Sequence, residues 1–176
     1  MALLAEELVE EWLNRQGYFT IRGIKLGVDE IDLLAIKFNV DGSVICRHIE
    51  VQASMRPIGY ISRLPIAHRA SNQSGSSAKT RTDLELRDGV KEWVQKKYQR
   101  PKKVELFKKL FPKAWSSELV HNNVKSEIEL KMIQEEGIDL ISLPFVIKQL
   151  NDESFTIKSA GGADFADLIH LAGQNI

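Results

Sequence analysis

Two adjacent strands are encoded by residues 29–52, which read DEIDLLAIKFNVDGSVICRHIEVQ. Residues 31–36 form a mostly apolar run of strand length, which favours a strand buried on both faces. Asp41-Gly42 is a hairpin signal, and residues 43–52 after it have the composition of a second strand. The stretch therefore predicts a β-hairpin.

The flanking sequence predicts helices and strands on both sides of this hairpin. Before it, residues 3–16 have helical apolar spacing and end at Gly17, and Tyr18 begins a strand. After it, the pattern predicts helices over residues 86–98, 101–111, 126–136 and 164–171, and strands over 115–124 and 138–143. Residues 145–150 fit either a strand extension or a short helix. Helices that alternate with strands favour an α/β fold.

Between the hairpin and the second helix lies a polar, basic segment. Residues 67–83 read AHRASNQSGSSAKTRTD and contain no large apolar side chain, which predicts a functional or disordered loop. We divide the chain into a motif-bearing core (1–55), this loop (67–83) and the remaining helices and strands (84–176). The length of 176 residues favours one domain over residues 1–176.

The balanced net charge hides a strong segregation of charge. The chain has 24 basic and 24 acidic residues, yet residues 1–55 carry −4, residues 56–113 carry +10 and residues 114–176 carry −6. A basic segment of this kind fits either a polyanion partner or a solvated helix face. One cysteine, Cys46, excludes a disulfide framework and fits the cytoplasm. No apolar run is long enough for a membrane helix, and the acidic start is unlike a signal peptide.

Two carboxylates stand out inside the apolar strands. Side chains alternate along a strand, so the hairpin can bring Asp32 of one strand close to Glu50 of the next, on the face that Gln52 shares. Buried carboxylates are costly unless they are paired, hydrogen-bonded or bound to metal. The pair therefore fits Mg²⁺ or Mn²⁺ beside a phosphate. The alternative is a pair of strand-edge acids that face water or an arginine.

The order of these motifs resembles the PD-(D/E)xK nuclease superfamily. A helix with Glu7, then Gly17-Tyr18, then residues 29–35 (DEIDLLA), then residues 49–52 (IEVQ) is similar to the branch that contains Holliday-junction resolvases and small restriction-endonuclease-like proteins. The resemblance covers about the first 55 residues. It implies a restriction-endonuclease-like αβββαβ core, with a central mixed sheet flanked by helices.

The resemblance also implies a role for each matching residue. Asp32 and Glu50 match the metal-binding acids, and Glu7 matches the helix glutamate that completes the metal or water network. Gln52 stands where the family usually has a catalytic lysine, and it supplies neither charge nor a practical base. Lys25 or Lys79 are the candidates to replace that lysine.

The basic middle third then supplies candidate contacts to nucleic acid. Lysine and arginine contacts to phosphates give affinity without sequence information. The predicted nucleic-acid-binding residues are Arg56, Arg63, Arg69, Lys79, Arg81, Lys96, Lys97 and Arg100.

The leading hypothesis is an Mg²⁺- or Mn²⁺-dependent nuclease that hydrolyses phosphodiester bonds, with DNA favoured and RNA left open. The resemblance adds a homodimer as an expectation. The alternative, which Gln52 motivates, is a nuclease-fold module that binds nucleic acid or a protein without cleaving. A basic surface for a protein partner alone is the third possibility.

Overall fold

The structure is a computed structural model that describes residues 2–69, 74–76 and 80–150, with the backbone alone for Ala2, Leu3 and Met55. Its elements follow the predicted order. They are α1 (Ala2–Arg15), β1 (Phe19–Leu26), β2 (Asp29–Phe38), β3 (Val44–Ile58), α2 (Asp83–Tyr98), α3 (Pro101–Leu110), β4 (Trp115–Val124), α4 (Glu127–Glu135), β5 (Asp139–Ser142) and α5 (Leu143–Leu150). The open question at residues 145–150 is resolved as a helix, whereas the helix predicted at 164–171 lies outside the described residues.

The described strands form one mixed sheet of five strands in the order β1-β2-β3-β4-β5. The pairs β1–β2 and β2–β3 are antiparallel, and β3–β4 and β4–β5 are parallel. The predicted hairpin joins β2 to β3, where Gly42 has a φ of +80° that favours glycine and the Asp41 carboxylate accepts from the Ser43 N–H at 2.8 Å. The predicted α/β class, with a central mixed sheet flanked by helices, is confirmed.

Each face of the sheet is covered by its own set of helices. On one face, α1 and α5 pack on Leu33, Ile49, Val51 and Val120. On the other face, α2 and α4 enclose a second core around Leu119. Asp32 and Glu50 belong to this second face, because residues of alternate parity on β2 and β3 point to opposite sides of the sheet. Within the described part of the chain, no helix combines the length and apolar character needed to cross a bilayer.

Candidate active site

The candidate site lies where strands β2 and β3 stop pairing. Their ladder ends at Leu33 opposite Ile49, and one further step of the same register sets Asp32 opposite Glu50. Beyond that point a side chain replaces the backbone acceptor of the ladder, because Oδ2 of Asp32 accepts a hydrogen bond from the Val51 N–H at 2.7 Å. The hydrogen bond holds Asp32 at the point where the two strands separate.

Glu50 is buried and fully engaged by cations. Its side chain is 1 % exposed, and its Oε1 accepts from Lys103 Nζ at 2.8 Å while its Oε2 accepts from Lys97 Nζ. His48 Nε2 lies 3.0 Å from Oε1. Burial alone would raise the pKa of Glu50, but the His48 hydrogen bond and the two ammonium groups outweigh it and lower the pKa to about 2. Glu50 is therefore ionised at neutral pH.

Asp32 has the opposite electrostatic environment. Burial, together with the negative charge of Glu50, raises the pKa of Asp32 to about 7, although Lys97 and the Val51 N–H act to lower it. Two neighbouring carboxylates with pKa values displaced in opposite directions are typical of functional sites, although structural ion pairs also produce such shifts. The carboxylate oxygens of this pair are the ligand type that a divalent cation takes.

Two lysines reach this pair of acids from helices, although position 52 carries glutamine. Lys97 lies in the last turn of α2 and Lys103 in the first turn of α3, on either side of the junction at residues 99–100. Gln52 is exposed, two residues beyond Glu50 on β3. Of the two replacements considered from the sequence, Lys25 is exposed on β1 and Lys79 lies outside the described residues. The cations that contact Glu50 come instead from α2 and α3.

The structure pairs Glu7, the predicted helix glutamate of the site, with an arginine of β1. Glu7 Oε1 lies 3.2 Å from Nη1 of Arg22, which also approaches Glu10. Glu6 instead interacts electrostatically with the site, and burial, Glu30 and Glu50 raise its pKa, although Arg22 and Lys97 act to lower it. Among the described residues, no three His, Cys, Asp or Glu side chains form a group that could hold a metal ion. Glu7, Asp32 and Glu50 thus do not make a three-acid site.

His48 is a member of the site that the sequence analysis missed. It is 1 % exposed, its ring lies 4.8 Å from that of Tyr98 and 5.1 Å from that of Phe107, and it hydrogen-bonds Glu50. Burial lowers the pKa of His48, although Glu50 acts to raise it. The available signal was its position two residues before Glu50, on the same face of β3.

The predicted nucleic-acid contacts differ in exposure and in position. Arg56, Arg63, Lys96 and Arg100 are exposed, and Arg100 Nε lies 3.6 Å from Asp29. Lys97 contacts Glu50 in the site, and Lys79 lies outside the described residues. Arg69 is half-buried and donates to the Leu64 carbonyl at 2.8 Å.

Arg81, which the sequence predicts as a nucleic-acid contact, makes its described contacts within the fold. It is 9 % exposed, its guanidinium lies 4.0 Å from the centre of the Tyr60 ring, and it donates to the Ser62 carbonyl at 3.1 Å. These contacts secure the segment after β3 and leave little of the guanidinium for a ligand.

We expect Arg81→Ala to lower the free energy of unfolding by about 1–3 kcal/mol, because it removes a cation–π contact and a charged donor to a buried carbonyl. Urea denaturation measures the change. Arg63→Ala is the matched control, since Arg63 is exposed. Equal stability of the two variants would contradict the structural role of Arg81.

Comparisons with known proteins give likenesses of fold alone. No protein-family model matches the chain, and no curated protein matches its sequence. A protein of unknown function, AF1548, covers 84 % of this chain with 14 % identity and a TM-score of 0.46. The MspJI restriction endonuclease, solved with a 27-mer oligonucleotide, covers 97 % with 11 % identity and a TM-score of 0.38. This chain spans 66 % and 30 % of those two chains, respectively.

Proposed function

We propose that this protein is a divalent-metal-dependent nuclease that hydrolyses phosphodiester bonds in DNA. One observation carries the proposal: Asp32 and Glu50 meet at the end of a strand pair together with lysine ammonium groups. This reaction requires acidic residues that hold a cation. It also requires a lysine that offsets negative charge on the phosphate. That combination is present even though position 52 carries glutamine.

The donor set fits Mg²⁺ or Mn²⁺. Mg²⁺ is commonly held by one or two carboxylates, with waters and substrate phosphates as its remaining ligands. Asp32 and Glu50 would be the two carboxylates, and burial followed by the nearby charge of Glu50 raises the pKa of Asp32. When bound, the metal supplies a more acidic water and offsets negative charge on the phosphoryl oxygens.

The residues of this chain have separate tasks in the proposed reaction. Lys103 and His48 fix the Glu50 carboxylate in one orientation through contacts at its Oε1. The Val51 N–H fixes Asp32. Gln52 is exposed on the same face, and its amide can hydrogen-bond a water but cannot accept the proton of that water. A lysine ammonium group of the site, from Lys97 or Lys103, stabilises the negative charge that develops on the phosphate.

The exposed basic side chains support a polyanionic substrate. Arg56 lies on β3 beyond Gln52, and Arg63 follows in the next segment. Lys96 and Arg100 flank Lys97 and line an open groove with Glu92. Contacts of this type would make binding strongly dependent on salt concentration.

A second candidate function is a binding module without cleavage. The observation that favours it is the occupation of both Glu50 oxygens by lysines. In such a module the lysines are permanent counter-ions, and binding to DNA is independent of divalent metal.

The proposal is tested by incubating the full chain with supercoiled and linear DNA and with Mg²⁺ or Mn²⁺. We expect cleavage by the wild type and its loss in both Asp32→Ala and Glu50→Ala, a fall of about 10³-fold or more. Asp139→Asn, which changes an exposed carboxylate at the start of β5, is the control that retains cleavage. Cleavage that survives in both alanine variants would contradict the site, and metal-independent binding without cleavage would favour the module.

A further inference from the structure

The two lysines on Glu50 differ in how firmly they are held. Lys103 is 1 % exposed, and its Nζ also donates to the Lys97 carbonyl at 2.7 Å. The Lys97 side chain is 29 % exposed, and its described hydrogen bond is to Glu50 Oε2. Lys103 is therefore fixed by two acceptors, whereas Lys97 has a flexible stem and access to solvent.

The Lys97 ammonium lies among the acids that would hold a metal. Besides its contact with Glu50, it interacts electrostatically with Asp32 and Glu30. The positive charge of Lys97 thus attracts both carboxylates of the proposed site, those of Asp32 and Glu50. Burial of two acids without a cation is costly, and Lys97 relieves that cost in the protein without metal.

We infer that the Lys97 ammonium occupies the cation position of the Asp32–Glu50 site and competes with the divalent metal ion for it. The inference rests on the proposed function. Metal binding then requires that Lys97 leaves Glu50 Oε2, while Lys103 remains on Oε1. The vacated oxygen becomes the ligand, and the released ammonium joins the exposed cations Lys96 and Arg100 at the end of α2.

This competition predicts that loss of Lys97 raises the affinity of the site for the metal ion. Removal of a lysine from a nuclease site ordinarily weakens the site for its substrate, yet removal of Lys97 strengthens the site for the metal. We expect Lys97→Met to bind Mn²⁺ about tenfold more tightly than the wild type, because the competing charge is lost. Isothermal titration of the full chain with MnCl₂ measures the affinity, and electron paramagnetic resonance of free Mn²⁺ checks it.

The matched control is Lys91→Met, which removes the same charge from an exposed position of α2. We expect this variant to keep the Mn²⁺ affinity within about twofold of the wild type, because solvent and salt screen an exposed charge. Lys97→Gln serves as a second variant if Lys97→Met does not fold, and Asp32→Asn/Lys97→Met shows whether the gain occurs at this site. Unchanged or weaker Mn²⁺ binding in the folded Lys97 variant, beside a wild type that cleaves DNA, overturns the competition and leaves the proposed function standing. No Mn²⁺ binding by any of the proteins overturns both.

Discussion

Asp32→Asn is expected to abolish cleavage and at the same time to make the protein more stable at pH 8. The pKa of Asp32 rises from its ordinary value of 3.8 to about 7 in the fold, because of burial and then Glu50. A carboxyl group with a raised pKa binds its proton more tightly in the folded chain. The free energy of unfolding therefore falls as the pH rises from about 4 to about 7, and the penalty persists above that range.

The size of the effect follows from the pKa shift. Each unit corresponds to about 1.36 kcal/mol, so the rise from 3.8 to about 7 means that ionised Asp32 destabilises the fold at pH 8 by about 4 kcal/mol. Asparagine keeps an acceptor for the Val51 N–H but does not ionise. Urea unfolding should thus give nearly equal stabilities at pH 4 and a more stable Asp32→Asn at pH 8.

The control for Asp32→Asn is again Asp139→Asn, whose carboxylate is exposed and whose removal should give no difference that grows with pH. An Asp32→Asn protein that is less stable than the wild type at pH 8 would contradict the electrostatic description of the site. A gain in stability together with full cleavage would show instead that Asp32 is a buried acid without a catalytic task.

Glu50→Gln is expected to have the opposite effect on stability. It leaves the ammonium of Lys103 buried without a counter-charge, and breaking a buried ion pair on one side typically costs about 3–5 kcal/mol. In the wild type, the stabilisation from ionised Glu50 is present above pH 4.5 and is lost as the pH falls towards the folded pKa of about 2. Thermal and urea unfolding at pH 7 measure the loss.

The double variant Glu50→Gln/Lys103→Met separates the lost pair from a general disturbance. Removal of both charges should recover a large part of the stability, because the double variant no longer buries the Lys103 ammonium without a counter-charge. Glu105→Gln, which breaks an exposed pair with Lys109, should destabilise the fold far less, because water screens that pair. If Glu50→Gln costs no more than Glu105→Gln, the buried cation cluster does not stabilise the fold.

The strands and the faces of the carboxylates could be predicted because they depend on short-range rules. The Asp41-Gly42 turn fixes the hairpin, and the two-residue period of a strand places Asp32 and Glu50 on one side of the sheet. His48 follows the same rule and could have been found by it. Each of these inferences needs only residues near in sequence.

The source of the site's positive charge could not be predicted in this way, because it depends on how α2 and α3 pack on the sheet. One signal was present: Lys97 lies in the helical stripe of Val90, Trp93 and Val94, where an apolar residue is expected. Lys103 shows the same spacing, since Leu106, Phe107 and Leu110 follow it by three, four and seven positions in α3. The choice between Glu6 and Glu7 also requires the rotation of α1, since adjacent residues on a helix differ by about 100°.

The placement of both lysines around one helix junction has an evolutionary consequence. Lys97 and Lys103 lie six positions apart, separated by residues 99–100 and by Pro101 at the start of α3. A change in the length of that connector would rotate α3 and withdraw Lys103 from Glu50 without altering either lysine. In relatives of this chain, we therefore expect insertions and deletions at the connector to be as rare as substitutions of the two acids. Position 52 on the strand, in contrast, does not need a charged residue.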